Sequence, residues 1–140
     1  GCMAHARRKF FEAHQAQGRK KHAGKAQKGL SLIQKLYGIE QAIRELSPQD
    51  KRQQRQARAV PVLDELHAWA HKSIDEVPPT SLTGKALSYL LGQWPKLIRY
   101  VEDGRLPIDN NATERAIRPF VIGRRNGLFA DTPAGAAASA

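Results

Sequence analysis

Residues 108–126 read IDNNATERAIRPFVIGRRN, and this stretch decides how the rest of the chain is interpreted. Carboxylates, asparagines and four arginines alternate there with apolar residues, a density of polar groups that an ordinary surface helix does not need. Asn111 and Glu114 have the spacing of a capping box, in which each residue satisfies a free backbone N–H of the first helical turn. The spacing predicts a helix from Ala112 to Arg118 that ends near Pro119.

Glu114 is the first candidate for chemistry. A carboxylate near a helix N-terminus is kept ionised by the helix dipole, which suits a cap paired with Arg118 as well as a Mg²⁺ ligand. One carboxylate does not make a magnesium site, because two-metal phosphoryl transfer needs several acids around the ions. Asp103 and Asp109 are the acids nearby in sequence, and Asp109 is better explained as a turn residue or a residue preceding the cap.

Arginines and asparagines around Glu114 predict a surface that contacts phosphates. The guanidinium fork of arginine matches phosphate oxygens, and asparagine amides reach phosphates or base edges. A solvated face with salt bridges to Glu114 and Asp109 is the alternative that the spacing leaves open. The candidate DNA-contacting residues are Arg115, Arg118, Arg124, Arg125, Asn110, Asn111 and Asn126.

Composition limits the function classes. The chain has 140 residues, a net charge of +10 and a pI of about 10.2, which favours a polyanionic partner, with nucleic acid ahead of a membrane surface. We expect no membrane span, because no run of about 18 apolar residues is present. No signal peptide is visible, and the single cysteine agrees with a reducing cytoplasm. Gly1 and the interrupted helix pattern of residues 134–140 predict a fragment of a longer reading frame.

Apolar residues at three- and four-residue steps predict a mostly α-helical chain with little strand. The predicted elements are a helix over 3–17, a basic linker or frayed helix start over 18–28, a helix over 29–46, one long helix or two over 48–76, a helix over 82–102, and short strands over 120–122 and 128–130. Pro61 and Pro95 each predict a kink or a break, because the proline ring clashes with the preceding turn. Antiparallel packing of residues 29–46 against 60–76 would bury both apolar stripes.

Local signals add four expectations to this scheme. Ser47 is a predicted N-cap, with Pro48 at the first helical position. Glu40 and Arg44 are spaced for an ion pair on one helix face. Phe10 and Phe11 belong to the apolar side of the first helix. Residues 105–108 are expected to be extended.

Two sets of potential metal ligands are interpreted as ordinary packing or surface residues. Cys2, His5 and His14 lack a second ligand pair at zinc spacing, so we interpret them as packing and ordinary polar residues. His67 and His71 stand four residues apart on a helix without the glutamate of a zinc-protease motif, and we interpret them as surface residues.

Five ordered blocks resemble the insertion-sequence-66 family of bacterial transposases. The strongest is DNNATERAIRP at 109–119. The others, in the order and spacing of that family, are CMAHARR at 2–8, LYGIE at 36–40, GKALSY at 84–89 with QW at 93–94, and VIGRRN at 121–126 with LF at 128–129. Together they cover nearly the whole chain.

The resemblance implies a DDE transposase with a ribonuclease-H-like catalytic core and a helical region inserted before the helix that bears the final acid. By motif, Glu114 is similar to that third acidic residue, which helps to hold Mg²⁺ for attack on DNA phosphodiesters. Arg115 and Arg118 would steady DNA phosphates or Glu114 itself. The implied setting is the bacterial cytoplasm, and the implied partners are the element ends and the target DNA, with a homo-oligomer or the missing N-terminal portion of the transposase as protein partner.

The resemblance also predicts that the chain is catalytically incomplete. The first two aspartates of the family would lie upstream of Cys2, so we expect no strand transfer from this chain alone, and Gly127 stands where the family usually has tryptophan. The expected organisation is a basic helix and linker over 1–28, a helical insertion over 29–102, and a truncated segment with Glu114 over 103–140. A non-catalytic helical DNA-binding remnant and a helical interaction module are the alternative functions.

Overall fold

A computed structural model of the chain describes residues 2–17 and 24–109, which are mostly α-helical and contain no strand. The elements are α1 (Met3–Gln17), α2 (Lys25–Ile43), α3 (Pro48–Gln54), a π-helical turn (Arg55–Ala59), α4 (Val60–Ser73), a 3-10 turn (Ile74–Glu76), α5 (Leu82–Gly92), α6 (Trp94–Leu97) and a second 3-10 turn (Arg99–Glu102). The chain divides into two compact units, Gly1–Asp109 and Asn110–Ala140. The predicted helix over 112–118, both predicted strands and linker residues 18–23 lie outside the described residues.

The core of the first unit forms where α1 packs against α2 and α5, and α2 packs against α4. On α1 the buried stripe has helical spacing and consists of Met3, Ala6, Phe10 and Ala13. Phe10 packs on Trp69, with ring centroids 6.0 Å apart. A Cβ at Gly29 would lie 2.8 Å from the Phe10 ring, so this glycine lets α1 approach α2 closely. Phe11, in contrast, is 49% exposed, and its predicted place on the apolar side is wrong.

The predicted antiparallel packing of α2 against α4 is confirmed by ion pairs at both ends. Lys25, at the start of α2, pairs with Glu76, which follows α4. Glu40, near the end of α2, pairs with Arg55, which precedes α4. Lys28 lies 3.5 Å from Glu65. Lys25 and Lys28 therefore belong to α2, which begins four residues earlier than the sequence predicted.

Two helix-start signals behave differently in the structure. Ser47 is the N-cap of α3, as predicted, and its hydroxyl accepts a hydrogen bond of 3.2 Å from the backbone N–H of Asp50. Pro61 does not end its helix, because the turn before it is π-helical and the Val60 N–H donates to the Arg55 carbonyl. The wider turn accommodates a residue that has no N–H to donate.

The predicted long helix over 82–102 is wrong. α5 ends at Gly92, and Pro95 lies in the first turn of the short α6, where its missing N–H is tolerated. A 3-10 turn follows, and the Leu106 N–H then donates to the Asp103 carbonyl over 3.0 Å. The turn therefore includes Arg105 and Leu106, the first half of the segment over 105–108 that the sequence predicts as extended.

A buried arginine joins the middle of the chain to this turn. The Arg55 side chain is 2% exposed and forms two hydrogen bonds with the Glu40 carboxylate, of 2.9 and 2.7 Å. Its remaining terminal nitrogen donates to the carbonyls of Tyr100 and Asp103, over 2.7 and 3.1 Å. The predicted pairing of Glu40 with Arg44 is wrong, because Glu40 faces Arg55 and Arg44 lies 3.5 Å from Glu45.

Over the described residues, none of the helices is both long enough and apolar enough to cross a membrane.

Replacing Arg55 by methionine should lower the free energy of unfolding by about 3–5 kcal/mol, because the change leaves the Glu40 carboxylate buried without its partner. Urea denaturation followed by circular dichroism measures the change. Arg44→Met is the matched control, since its pair with Glu45 is exposed and should contribute less than about 1 kcal/mol. Equal stability of the two variants would show that the Arg55 pair does not hold the unit together.

Candidate nucleic-acid interface

The predicted catalytic and DNA-contacting residues all follow Asp109, the last residue that the structure describes. Glu114, Arg115, Arg118, Arg124, Arg125, Asn110, Asn111 and Asn126 lie outside the described residues. Their roles stay predictions. The structure does show how the chain is held in place immediately before these residues, at Asp109.

Asp109 ties the end of the helical unit to its beginning. Its Oδ1 accepts hydrogen bonds from the Ala4 N–H, over 2.8 Å, and from the Tyr37 hydroxyl, over 2.6 Å. The Cys2 carbonyl accepts from the N–H groups of His5 and Ala6, so Asp109 satisfies a further free N–H in the first turn of α1. Sequence reasoning assigned Asp109 to a turn or to the start of the next helix; in the structure its carboxylate caps α1 from 105 residues away.

The Tyr37 hydroxyl is held as a hydrogen-bond donor. Burial raises the pKa of Tyr37 well above its usual range, and the hydrogen bond to the negatively charged Asp109 raises it further, against the opposing charge of Arg7. The Arg7 guanidinium carbon lies 4.9 Å from the centre of the Tyr37 ring, a cation–π arrangement. Arg7, Tyr37 and Asp109 thus join α1, α2 and the end of the unit.

The acids closest in sequence to Glu114 have structural roles. Both oxygens of Asp103 accept hydrogen bonds from the Arg105 side chain, of 3.0 and 2.7 Å, and Asp109 Oδ1 already accepts two. Within residues 2–17 and 24–109, no three His, Cys, Asp or Glu side chains are grouped so that they could hold a metal ion.

A cleft of about 340 Å³ opens beside Tyr37 and the residues that lead to Asp109. Its sides come from the C-terminal half of α2, from Lys51 and Arg55, and from residues 104–108. Four cationic side chains line it, Arg44, Lys51, Arg55 and Arg105, against the single carboxylate of Glu40. Sequence reasoning missed this cleft, because its two sides are about 60 residues apart in the chain and carry no shared motif.

The exposed side of α1 is also basic. The Lys9 ammonium nitrogen lies 5.1 Å from the centre of the Tyr89 ring, so Lys9 and Arg7 are held by aromatic rings on α5 and α2. Arg8 and Phe11 are exposed between them. Cations next to an exposed aromatic ring are typical of surfaces that bind nucleic acid.

His67 is half-buried in an aromatic stack, whereas His71 is exposed as predicted. The His67 ring stacks on Trp94, with centroids 4.5 Å apart and an interplanar angle of 19°, and the His71 ring lies at 81° to it with centroids 4.5 Å apart. Burial lowers the pKa of His67, and the charge of His71 lowers it further. His67 thereby packs α4 against the first residue of α6.

Replacing Asp109 by alanine should lower the free energy of unfolding by roughly 1–3 kcal/mol, because α1 loses a capping acceptor and the Tyr37 hydroxyl loses its partner. Urea denaturation gives the change, and hydrogen exchange at the Ala4 N–H should accelerate. Asp64→Ala, at an exposed position on α4, is the control and should change stability by less than about 0.5 kcal/mol. Unchanged exchange at Ala4 in the Asp109 variant would contradict the closure of the unit at this contact.

The His67 stack predicts a pH dependence of stability. His67 has a lower pKa in the folded protein than the value of about 6.5 expected in the unfolded chain. Neutral His67 therefore contributes stability above about pH 6.5, and this contribution is lost as the pH falls through the folded pKa. His67→Phe keeps an aromatic ring on Trp94 without a titrating group, so its urea midpoint should fall less than that of the wild type between about pH 7.5 and 5. His71→Gln should keep most of the wild-type dependence, since burial is the larger cause of the shift. A full wild-type dependence in His67→Phe would exclude His67 as the titrating group.

Comparison with known proteins finds similar sequences over nearly the whole chain. The family model described as Transposase IS66 family matches residues 1–138. An uncharacterized protein of Sinorhizobium fredii (strain NBRC 101917 / NGR234), y4hP, is 35% identical over 143 residues, covering 96% of this chain and 26% of the relative. A second uncharacterized protein of that strain, y4qI, is 33% identical over 138 residues, covering 96% of this chain and 24% of the relative. The chain thus spans about a quarter of the length of the curated relatives it matches, and no solved structure matches it.

Proposed function

Because the chain belongs to the transposase IS66 family, we propose that it works as the C-terminal part of a longer bacterial transposase that moves a DNA element. The match across residues 1–138 carries this proposal, because it includes both the helical unit and the stretch around Glu114. The relatives are about four times as long as the segments that match this chain. We therefore expect the complete transposase to contain additional sequence outside the matched segment.

The geometry of the helical unit supports its role as an insertion. A domain inserted into another must receive and return the chain at nearly the same place, so that the host fold stays continuous. The hydrogen bond of 2.8 Å between the Ala4 N–H and Asp109 joins the two ends of the described unit. We propose that the insertion into a ribonuclease-H-like core is longer than the 29–102 that the sequence predicts and covers residues 2–109, because α1 packs against α2 and α5 in the same unit. The segment from Asn110 would then return to that core.

Within this proposal the chain supplies one catalytic carboxylate, Glu114. In the complete transposase Glu114 would join two aspartates of the upstream chain to hold Mg²⁺, which activates the attacking hydroxyl for phosphodiester cleavage and strand transfer. The described acids do not take this role, since Asp103 and Asp109 serve the fold. The chain alone is therefore catalytically incomplete.

The helical unit is proposed to hold DNA. Some of its exposed cations have no anionic partner among the described residues, among them Arg8 on α1 and Lys85 on α5. Such side chains are available to replace the counterions of a phosphate backbone, which makes affinity depend steeply on salt. Arg115, Arg118, Arg124 and Arg125, with the neighbouring asparagines, would extend the contact in the second unit.

Glu114→Gln should reduce transposition to the background frequency while leaving DNA binding intact. The assay expresses the complete reading frame that contains this sequence and measures movement of a marked miniature element. Glu12→Gln, an exposed carboxylate on α1, is the control and should transpose at the wild-type frequency. Normal transposition by the Glu114 variant would remove this residue from the catalytic set.

Movement of the element by the wild-type reading frame distinguishes a transposase from a DNA-binding remnant. Failure of the wild-type frame to move the element, with salt-dependent DNA binding retained by the chain, would overturn the transposase proposal in favour of a DNA-binding remnant.

A further inference from the structure

We propose that the cleft between the C-terminal half of α2 and residues 104–108, called here the α2 cleft, binds the phosphodiester backbone of DNA. This inference rests on the proposed function and assigns a part of the DNA contact to residues outside the motif around Glu114. The α2 cleft lies wholly within the described helical unit.

The α2 cleft is positively charged because its one acid is already neutralised. Glu40 accepts two hydrogen bonds from Arg55, of 2.9 and 2.7 Å, and both side chains are largely buried. A charge paired so closely presents little field to a ligand. The potential at the opening is therefore set by Arg44 and Lys51, because Arg105 is paired with Asp103 in the same way.

Two of these cations are available to a phosphate. Arg44 lies 3.5 Å from Glu45, and both side chains are largely exposed, so this pair contributes little and is easily exchanged. Lys51 has no anionic partner among the described residues. Arg44 ends α2 and Lys51 lies in α3, so the two approach the α2 cleft from separate elements.

The residues that lead into the far wall of the α2 cleft, which 104–108 form, are held in place by hydrogen bonds and close packing. Arg52, Arg55 and Gln56 donate side-chain hydrogen bonds to the four successive carbonyls of residues 100–103. Gly104 then passes so close to α3 that a Cβ would lie 1.8 Å from the Pro48 carbonyl oxygen. A preformed wall reduces the entropy lost on binding.

The α2 cleft continues toward α1 through Tyr37. This side chain lines the cleft, while the Arg7 guanidinium lies over its ring at 4.9 Å. Arg7, on the exposed basic side of α1, thereby lies next to one side of the cleft. Charged side chains that contact phosphates do not read bases, so the contact should be independent of sequence.

The test compares two double variants of the full 140-residue chain, with fluorescence anisotropy of a labelled duplex as the readout. Arg44→Gln with Lys51→Gln removes two charges from the α2 cleft, and Lys35→Gln with Lys96→Gln removes two exposed charges that do not line it. The cleft variant should lose roughly 10- to 100-fold in affinity at about 0.1 M salt, and the slope of log affinity against log salt should become shallower by about 2. The control should change the slope by less than about 1.

Three further measurements test the assignment to the α2 cleft. The charge-preserving variant Arg44→Lys with Lys51→Arg should restore the slope. In the wild-type chain, bound DNA should protect Lys51 from amine acetylation and leave Lys35 and Lys96 reactive. An RNA duplex of the same sequence should show an equal loss with the cleft variant, since both backbones carry the same phosphates; a loss on RNA with none on DNA would overturn the assignment.

The outcomes distinguish this inference from the proposed function. Absence of salt-dependent DNA binding by the wild-type chain would overturn the DNA-holding role of the helical unit. Wild-type binding that both double variants weaken equally, with Lys51 unprotected, would overturn the α2 cleft alone.

Discussion

The ion pair between Arg55 and Glu40 is the interaction on which the described unit depends. Removing two charges from water is costly, and such a pair is tolerated only where the remaining donors also find partners. Arg55 meets this condition, because its guanidinium binds two carboxylate oxygens and two carbonyls and lies 4.9 Å from the centre of the Tyr100 ring. The Tyr100 carbonyl belongs to a 3-10 turn, and Asp103, whose carbonyl also accepts from the Leu106 N–H, follows that turn directly. One side chain thus fixes α2, the π-helical turn and the C-terminal part of the unit together.

The π-helical turn explains how this arginine is placed. Arg55 begins the turn, and Pro61 follows it in the first residues of α4. The Val60 N–H reaches back five residues to the Arg55 carbonyl, which changes the angular register between the polar α3 and the apolar face of α4. The same irregularity therefore accommodates a proline and turns an arginine from a polar run into the core. It also aligns Arg52, Arg55 and Gln56 with successive carbonyls of residues 100–103.

Local signals in the sequence predicted the parts of the fold that local forces determine. The α1 boundaries, the Ser47 cap and the apolar stripes of α2 and α4 follow from periodicity and capping chemistry, which act within about four residues. The partner of Glu40 could not be predicted in this way, because Arg55 and Arg44 are equally charged and only tertiary packing selects between them. Asp109 shows the same limit at the candidate site: its partners are 72 and 105 residues away in sequence. The motif around Glu114 identified a family and a candidate acid, whereas the α2 cleft required two distant segments to be brought together.

Net charge alone does not locate a binding surface. The pairing of individual cations with acids reduces the number of side chains that could form one. Lys25, Lys28 and Arg55 have carboxylate partners within the fold, and Arg52 binds a backbone carbonyl. Lys51 has no carboxylate partner among the described residues and Arg44 has only an exposed one, so a polyanion can use the charge of these two cations. Salt acts differently on the two sets, because exposed charges are screened within about 10 Å at 0.1 M salt, whereas a buried pair is screened far less. Raising salt should therefore release a bound backbone while the Arg55 pair keeps the helical unit folded, so binding and stability respond to salt as separate quantities in one chain.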